Sequence, residues 1–174
     1  MIDKEFQAVP AHDRLQKAGN IAEQQMAHYL KRAFGYDDSV HVFNNLRFEQ
    51  NGEVAQIDHL IFHRAGFILV ESKSVTSAVR INQRDEWARL WNDKWQGMAS
   101  PLLQAQRQAD LLRAFLQAHK LELRNKFLFG LKQSGFSGFL MDVVVAISDN
   151  GMIEYEGQLP DVKKADQIPE HIKS

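Results

Sequence analysis

The stretch QIDHLIFHRAGFILVESKS, residues 56–74, constrains the fold of this chain more than any other. It reads as two strands, 54–62 and 67–75, joined across Arg64 and Ala65. Simple alternation puts Ile57, Ile61, Ile68 and Val70 on one face. Leu60, Phe62, Phe67 and Leu69 fall on the other. Strands that are apolar on both faces belong in the middle of a sheet with helices over each side. The chain is therefore expected to form a layered α/β or α+β fold rather than a sandwich with one wet face.

The remaining segments supply the layers. Residues 20–34 read as a helix capped by Asn20, with Ala22, Met26, Tyr29, Leu30 and Ala33 as its apolar stripe. Residues 40–48 alternate as a strand, and Asn51-Gly52 is a hairpin turn signal. Ser100-Pro101 opens a second helix that runs to about His119, with Ala105, Ala109, Leu112 and Leu116 on one face. MDVVVAIS, residues 141–148, is a continuous apolar strand followed by a turn at Asp149-Asn150-Gly151. The glycine-punctuated segment 125–139 fits no single pattern. At 174 residues the chain suits one domain. It divides into a polar arm at 1–17, a domain at 18–160 and a polar tail at 161–174.

Charge placement raises the chemical question. Asp58, Glu71 and Lys73 stand at the ends of two strands made for a core. In an even hairpin with Phe62 opposite Phe67, Asp58 faces Glu71 and Gln56 faces Lys73. Directly opposed residues hold their Cβ atoms roughly 4.5–5.5 Å apart on one face, and like charges so placed are destabilising. A plain ion pair of Lys73 with either acid is one resolution. A divalent cation is the other, because magnesium and manganese prefer carboxylate oxygens. Glu23 leans inward with Met26, Leu30 and Phe34 on the first helix. It also fits a capping box with Asn20, and the two roles are compatible. Gln104, Arg107 and Gln108 lie in the first turns of the second helix; they either line a phosphate-binding helix start or coat a solvated face.

Trp87, Trp91 and Trp95 recur among Arg80, Arg84, Arg89 and Lys94. Such a mixture stacks on unpaired bases and holds phosphates, or packs a core beneath solvated charge. The segment reads as a helix or as a hairpin turning at Asn92-Asp93. His59 and His63 lie away from Asp58, and no third and fourth ligand for zinc is evident. The chain has no cysteine, which removes thiolate catalysis and disulfides. No apolar run approaches the roughly 18 residues of a membrane span, and the start lacks a signal pattern, so the reading is cytoplasmic with no membrane partner. A net charge of -1 means that any nucleic-acid partner must meet a local basic patch.

In order, AGNIAEQQMAHYL, NGEVAQIDHLIFHRAGFILVESKS, a tryptophan-bearing stretch and SPLLQAQRQADLLRAFL resemble the NERD (nuclease-related) domain, a branch of the PD-(D/E)xK nuclease-like superfamily. The resemblance covers about 18–120 and extends to the strand at 141–148. It implies a restriction-endonuclease-like fold, with a central mixed β-sheet flanked by helices on both faces. It implies Asp58 and Glu71 as ligands of Mg2+ or Mn2+, assisted by Glu23. Lys73 then orients the attacking water or stabilises the developing charge, and Gln104 lines the site. Ile57 stands where the family name has proline. The expected activity is metal-dependent phosphodiester hydrolysis, with DNA as partner ahead of RNA and Arg80, Arg84, Arg89, Lys94 and Arg107 as its contacts. The alternative is a non-catalytic nucleic-acid or protein interaction module that keeps the fold. Members joined to helicase or zinc-finger segments make a separate partner of that kind part of the expectation.

Overall fold

The structure is a computed structural model, and it describes residues 1–123, 126–127, 132–133, 135–136, 138–157 and 161–173. Much of the ambiguous 125–139 segment, and the domain boundary expected at 160, lie outside those residues. In chain order the elements are β1 (Ile2–Lys4), α1 (Arg14–Phe34), β2 (Val40–Gln50), β3 (Glu53–His63), β4 (Gly66–Lys73) and β5 (Ala78–Ile81). Next come β6 (Trp87–Trp91), β7 (Lys94–Met98), α2 (Pro101–Ala118) and α3 (Lys120–Leu123). Then follow β8 (Lys126–Phe127), β9 (Lys132–Gln133), β10 (Leu140–Ile147), β11 (Met152–Tyr155) and β12 (Val162–Lys164). A 3-10 turn and α4 (Ile168–Lys173) complete the chain.

The main sheet runs β1-β2-β3-β4-β10-β12. The β2-β3 and β3-β4 pairs are antiparallel, whereas β1-β2, β4-β10 and β10-β12 are parallel. The fold is thus α/β with a mixed sheet, and β4, buried along most of its length, lies in the middle. Helix α1 covers one face: Met26, Leu30 and Phe34 pack on Val42, Ile61, Ile68, Val70 and Val144, with Ile168 closing the edge. Helix α2 covers the other through Ala109 and Leu112, against Ile57, Leu60, Phe67 and Leu69. A second sheet, β11-β5-β6-β7, joins the end of β10 through Val79, Ile81, Trp87, Val145 and Ile147. The terminal segments that read as arm and tail carry strands β1 and β12, one at each edge of the main sheet.

Turn chemistry fixes both hairpins. Asn51 and Gly52 have φ of 55° and 80°, and Asn92 and Asp93 have φ of 48° and 58°. Two successive positive φ values make the turn whose twist matches paired strands. The tryptophan segment is therefore a hairpin, β6-β7. Gly66 starts β4 beside β10, where a Cβ would lie 2.2 Å from the Leu140 carbonyl oxygen.

Two expectations are corrected. The first helix begins at Arg14 and is capped by Asp13, whose carboxylate accepts from the Gln16 N–H. Asn20 lies inside the helix and donates to the Val9 carbonyl, so it forms no capping box with Glu23. Ile57 packs with Leu60 and not with Ile61. The alternation breaks because Asn45 on β2 adopts φ of 51°, a conformation that asparagine tolerates. On β2, Phe43 faces α2 and so do Leu46 and Phe48, which shifts the parity of both strands at the Asn45–Asp58 level.

Candidate metal and nucleic-acid site

Beyond His59–Val70 the β3-β4 ladder ends, although its register up to that pair is the expected one. The opposition of Asp58 to Glu71 and of Gln56 to Lys73 is consequently not a pair of ladder rungs. Asp58 instead accepts a hydrogen bond from the Ser72 N–H at 2.8 Å through Oδ2. Gln56 is tied to α2, where its carbonyl accepts from Gln108 at 2.7 Å. The strands part where the acids begin, so the break in pairing opens the site.

Glu71 is 3% exposed, and its Oε1 stands 2.6 Å from the Lys73 ammonium. Lys73 also donates to Gln104 Oε1 at 3.4 Å. Both side chains lie on the α2 side, as their spacing from Phe67 and Leu69 requires. The ion pair answers for one acid of three. Among the described residues neither Asp58 nor Glu23 makes an ion pair. Burial pushes the Asp58 carboxyl well above the usual carboxylate range, and the charges of Glu71 and Glu23 push it further. Burial raises Glu23 as well, against the opposing effect of its hydrogen bond from Asn45. Three acids thus share one lysine, and the arrangement favours uptake of positive charge, as a proton or as a cation.

Asn45 is the residue that sequence reading missed. Its Nδ2 donates to Glu23 Oε2 at 2.7 Å, while its buried Oδ1 has no hydrogen-bond partner among the described residues. An orphaned acceptor beside a surplus of carboxylate oxygens suits a hard cation or its water. The doublet Asn44-Asn45 in an otherwise alternating strand was the available signal. A second missed feature lies behind the site. Asn44 donates from Nδ2 to the Lys4 carbonyl, so its Oδ1 is the acceptor toward His59 Nδ1 at 2.7 Å. His59 Nε2 is then left to accept from the Ser72 hydroxyl at 3.0 Å. His59 is fully buried, and burial lowers its pKa to about 3. It is a neutral strut. Ser72, between Glu71 and Lys73, is held by Asp58 through its N–H and by His59 through its hydroxyl.

The structure brings Glu23, Asp58, Glu71 and Lys73 into one electrostatic cluster and sets Gln104 against Lys73. Among the described residues, no three His, Asp or Glu side chains stand close enough to share a metal ion. Of the basic residues, Arg80 is bound to Glu154 at 2.6 Å and stacks 4.1 Å over Trp95. Arg89 lies 5.5 Å from the centre of the Trp91 ring. Arg84 and Lys94 are exposed on the small sheet and its loops, and Arg107 is exposed on α2, apart from that sheet in the chain. No helix among the described residues is long and apolar enough to cross a membrane.

Comparison with curated proteins and with solved structures gives no match. A family model does match, over residues 18–145, and that span holds Glu23, Asn45, Asp58, Glu71, Lys73 and Gln104. The chain belongs to the nuclease-related domain family, NERD.

Proposed function

We propose that this chain hydrolyses phosphodiester bonds in nucleic acid, DNA ahead of RNA, with Mg2+ or Mn2+ held at Asp58 and Glu71. The observation that carries the reading is the excess of acids in one cluster: a buried Glu71 and half-buried Glu23 and Asp58, with Lys73 as the cation among them in the described residues. Family membership supplies the nuclease class, and the donor set supplies the preference for a hard cation. The donor chemistry suits such an ion, because Asp58, Glu71 and Glu23 carry carboxylate oxygens and Asn45, hydrogen-bonded to Glu23, adds an amide oxygen. When bound, the ion supplies an activated water and charge for the transition state.

The chain's own residues do the rest. Asp58 and Glu71 define where positive charge settles. Lys73, held by Glu71 on one side and Gln104 on the other, presents N–H donors at the mouth of the cluster. There it hydrogen-bonds a water or a non-bridging phosphate oxygen and opposes the charge that grows in the transition state. Gln104 orients the ammonium.

A second reading has one observation in its favour. Lys73 sits on Glu71, and among the described residues no three acids or histidines close at ligand spacing, as suits an interaction module that keeps the fold without cleaving. Incubation with supercoiled plasmid and with single-stranded DNA, in magnesium, manganese or chelator, separates the two. The enzyme reading expects cleavage that requires metal and is lost in Lys73→Ala. Metal-independent cleavage, or cleavage unchanged by Lys73→Ala, would reject the assigned site. An intact substrate under every condition would favour the module.

A further inference from the structure

Beside the acid cluster, a cleft opens between the first turns of α1 and the β6-β7 hairpin. Arg14, Ser74, Thr76, Ser77, Leu90 and Trp91 line it, and Arg89 borders it. Its inner cavity measures about 110 Å³ and carries two arginines with no acid. A contiguous outer cavity of about 250 Å³ shares Arg14, Thr76, Ser77, Leu90 and Trp91, and ends at Asn92 and Asp93. Together they reach the lower bound of small-ligand pockets, roughly 300 Å³. Ser74 directly follows Lys73 in the chain.

The lining combines three kinds of group. Trp91 is 38% exposed, a large ring left in solvent on a small domain. Nearby Leu15, also lining the inner cavity, is 62% exposed. Arg14 and Arg89 supply positive charge, and Arg89 already stands 5.5 Å from the Trp91 ring centre. The wall is braced, since the Ser77 hydroxyl donates to the Leu90 carbonyl at 2.5 Å. An aromatic face with guanidinium groups beside it is what a flat, π-faced ligand carrying a phosphate requires.

We propose that this cleft binds one unpaired nucleotide of the substrate strand, its base against Trp91 and its phosphate toward Arg14 and Ser74. A base inside a duplex has both faces covered and cannot present one to Trp91. The cleft therefore selects single-stranded or frayed ends. The inference deepens the nuclease reading by naming the form of the substrate, and rests on that reading only for the position of the reacting phosphate.

The test is fluorescence anisotropy of the full chain, in chelator so that no cleavage occurs. The probes are a short oligothymidylate, an oligouridylate of equal length and a DNA duplex. Single strands should bind more tightly than duplex. Trp91→Ala should weaken them at least about fivefold while leaving the duplex unchanged, the range expected for loss of one stacked base. Trp91→Phe, which keeps a ring, should recover most of that loss and so excludes simple collapse of the hairpin. Arg14→Ala should reduce the salt dependence by about one phosphate contact. The ratio of thymidylate to uridylate affinity tells which sugar the cleft takes, and Trp91-dependent binding of either strand supports the proposal. Equal affinity of parent and Trp91→Ala, or duplex bound as tightly as single strand, would overturn it. A failure of metal binding at Asp58 would remove the nuclease reading and leave a positive result here standing.

Discussion

Replacing Lys73 by methionine isolates the electrostatic argument from catalysis. The stem is nearly conserved and the ammonium is lost. Glu71, 3% exposed, is then left beside Asp58 and Glu23 without its partner at 2.6 Å. Removing one member of a buried pair costs about 3–5 kcal/mol. The Lys73 side chain is 28% exposed, so water already screens part of the interaction. The expected cost is accordingly below that range, about 2–3 kcal/mol. For a chain of this size each kcal/mol shifts Tm by about 2–4 °C, so a fall of about 5–10 °C is expected at pH 8 in chelator. The pH dependence has a definite sign. Asp58 has a folded pKa above its unfolded value, so the folded state holds more protons than the unfolded one between the two values. Stability then falls as pH rises through that window. The variant's deficit should shrink on acidification, as a proton replaces the ammonium. Adding Asp58→Asn to Lys73→Met should also restore stability, because the amide oxygen still accepts from the Ser72 N–H. Differential scanning fluorimetry across pH reads all of this. A variant within a degree of the parent at every pH would refute the claim that Lys73 neutralises a buried acid surplus.

Three further outcomes are expected. Asp58→Asn alone, in chelator at neutral pH, should raise Tm, since a carboxyl whose pKa is raised on folding destabilises the folded state above its unfolded pKa. His59 should remain neutral, with its proton on Nδ1, as pH falls well below 6.5, which nitrogen-15 chemical shifts of the ring report directly; protonation near pH 6.5 would contradict the buried strut. Because the unfolded state binds that proton first, His59 withdraws stability as pH drops from about 6.5 toward 3, opposite in sign to Asp58. Gln104→Ala should slow cleavage by about tenfold with a smaller change in KM, because it orients Lys73 through one 3.4 Å contact.

What could be read from the sequence was what depends on period and turn chemistry. Two strands apolar on both faces required a covered sheet, and α1 and α2 cover it. Asn51-Gly52 and Ser100-Pro101 marked a turn and a helix start where they occur. The β3-β4 register followed from pairing Phe62 with Phe67. What could not be read depends on contacts distant in sequence. Asn45 turns β2 over at one residue, and nothing local says that Asp58 across the ladder shifts with it. Asn20 and Asp13 are both good caps, and the largely exposed first turns from Arg14 bury no apolar stripe that would mark the earlier start. Glu23 fitted a capping box by spacing alone, but the side chain that meets it is Asn45, from another element. The strand ends β1 and β12 are short and polar, and their pairing partners lie far away in the chain.

The central claim is that the acid cluster around the buried Glu71 is completed by a divalent cation rather than by Lys73 alone. Isothermal titration of Mn2+ into the folded chain near pH 7, repeated in buffers of different ionisation enthalpy, measures both the ion and any proton it displaces. One ion per chain is expected, lost in Asp58→Asn. A folded parent that binds no Mn2+, or binds it unchanged in Asp58→Asn, would contradict it and leave the Glu71–Lys73 ion pair as the whole content of the site.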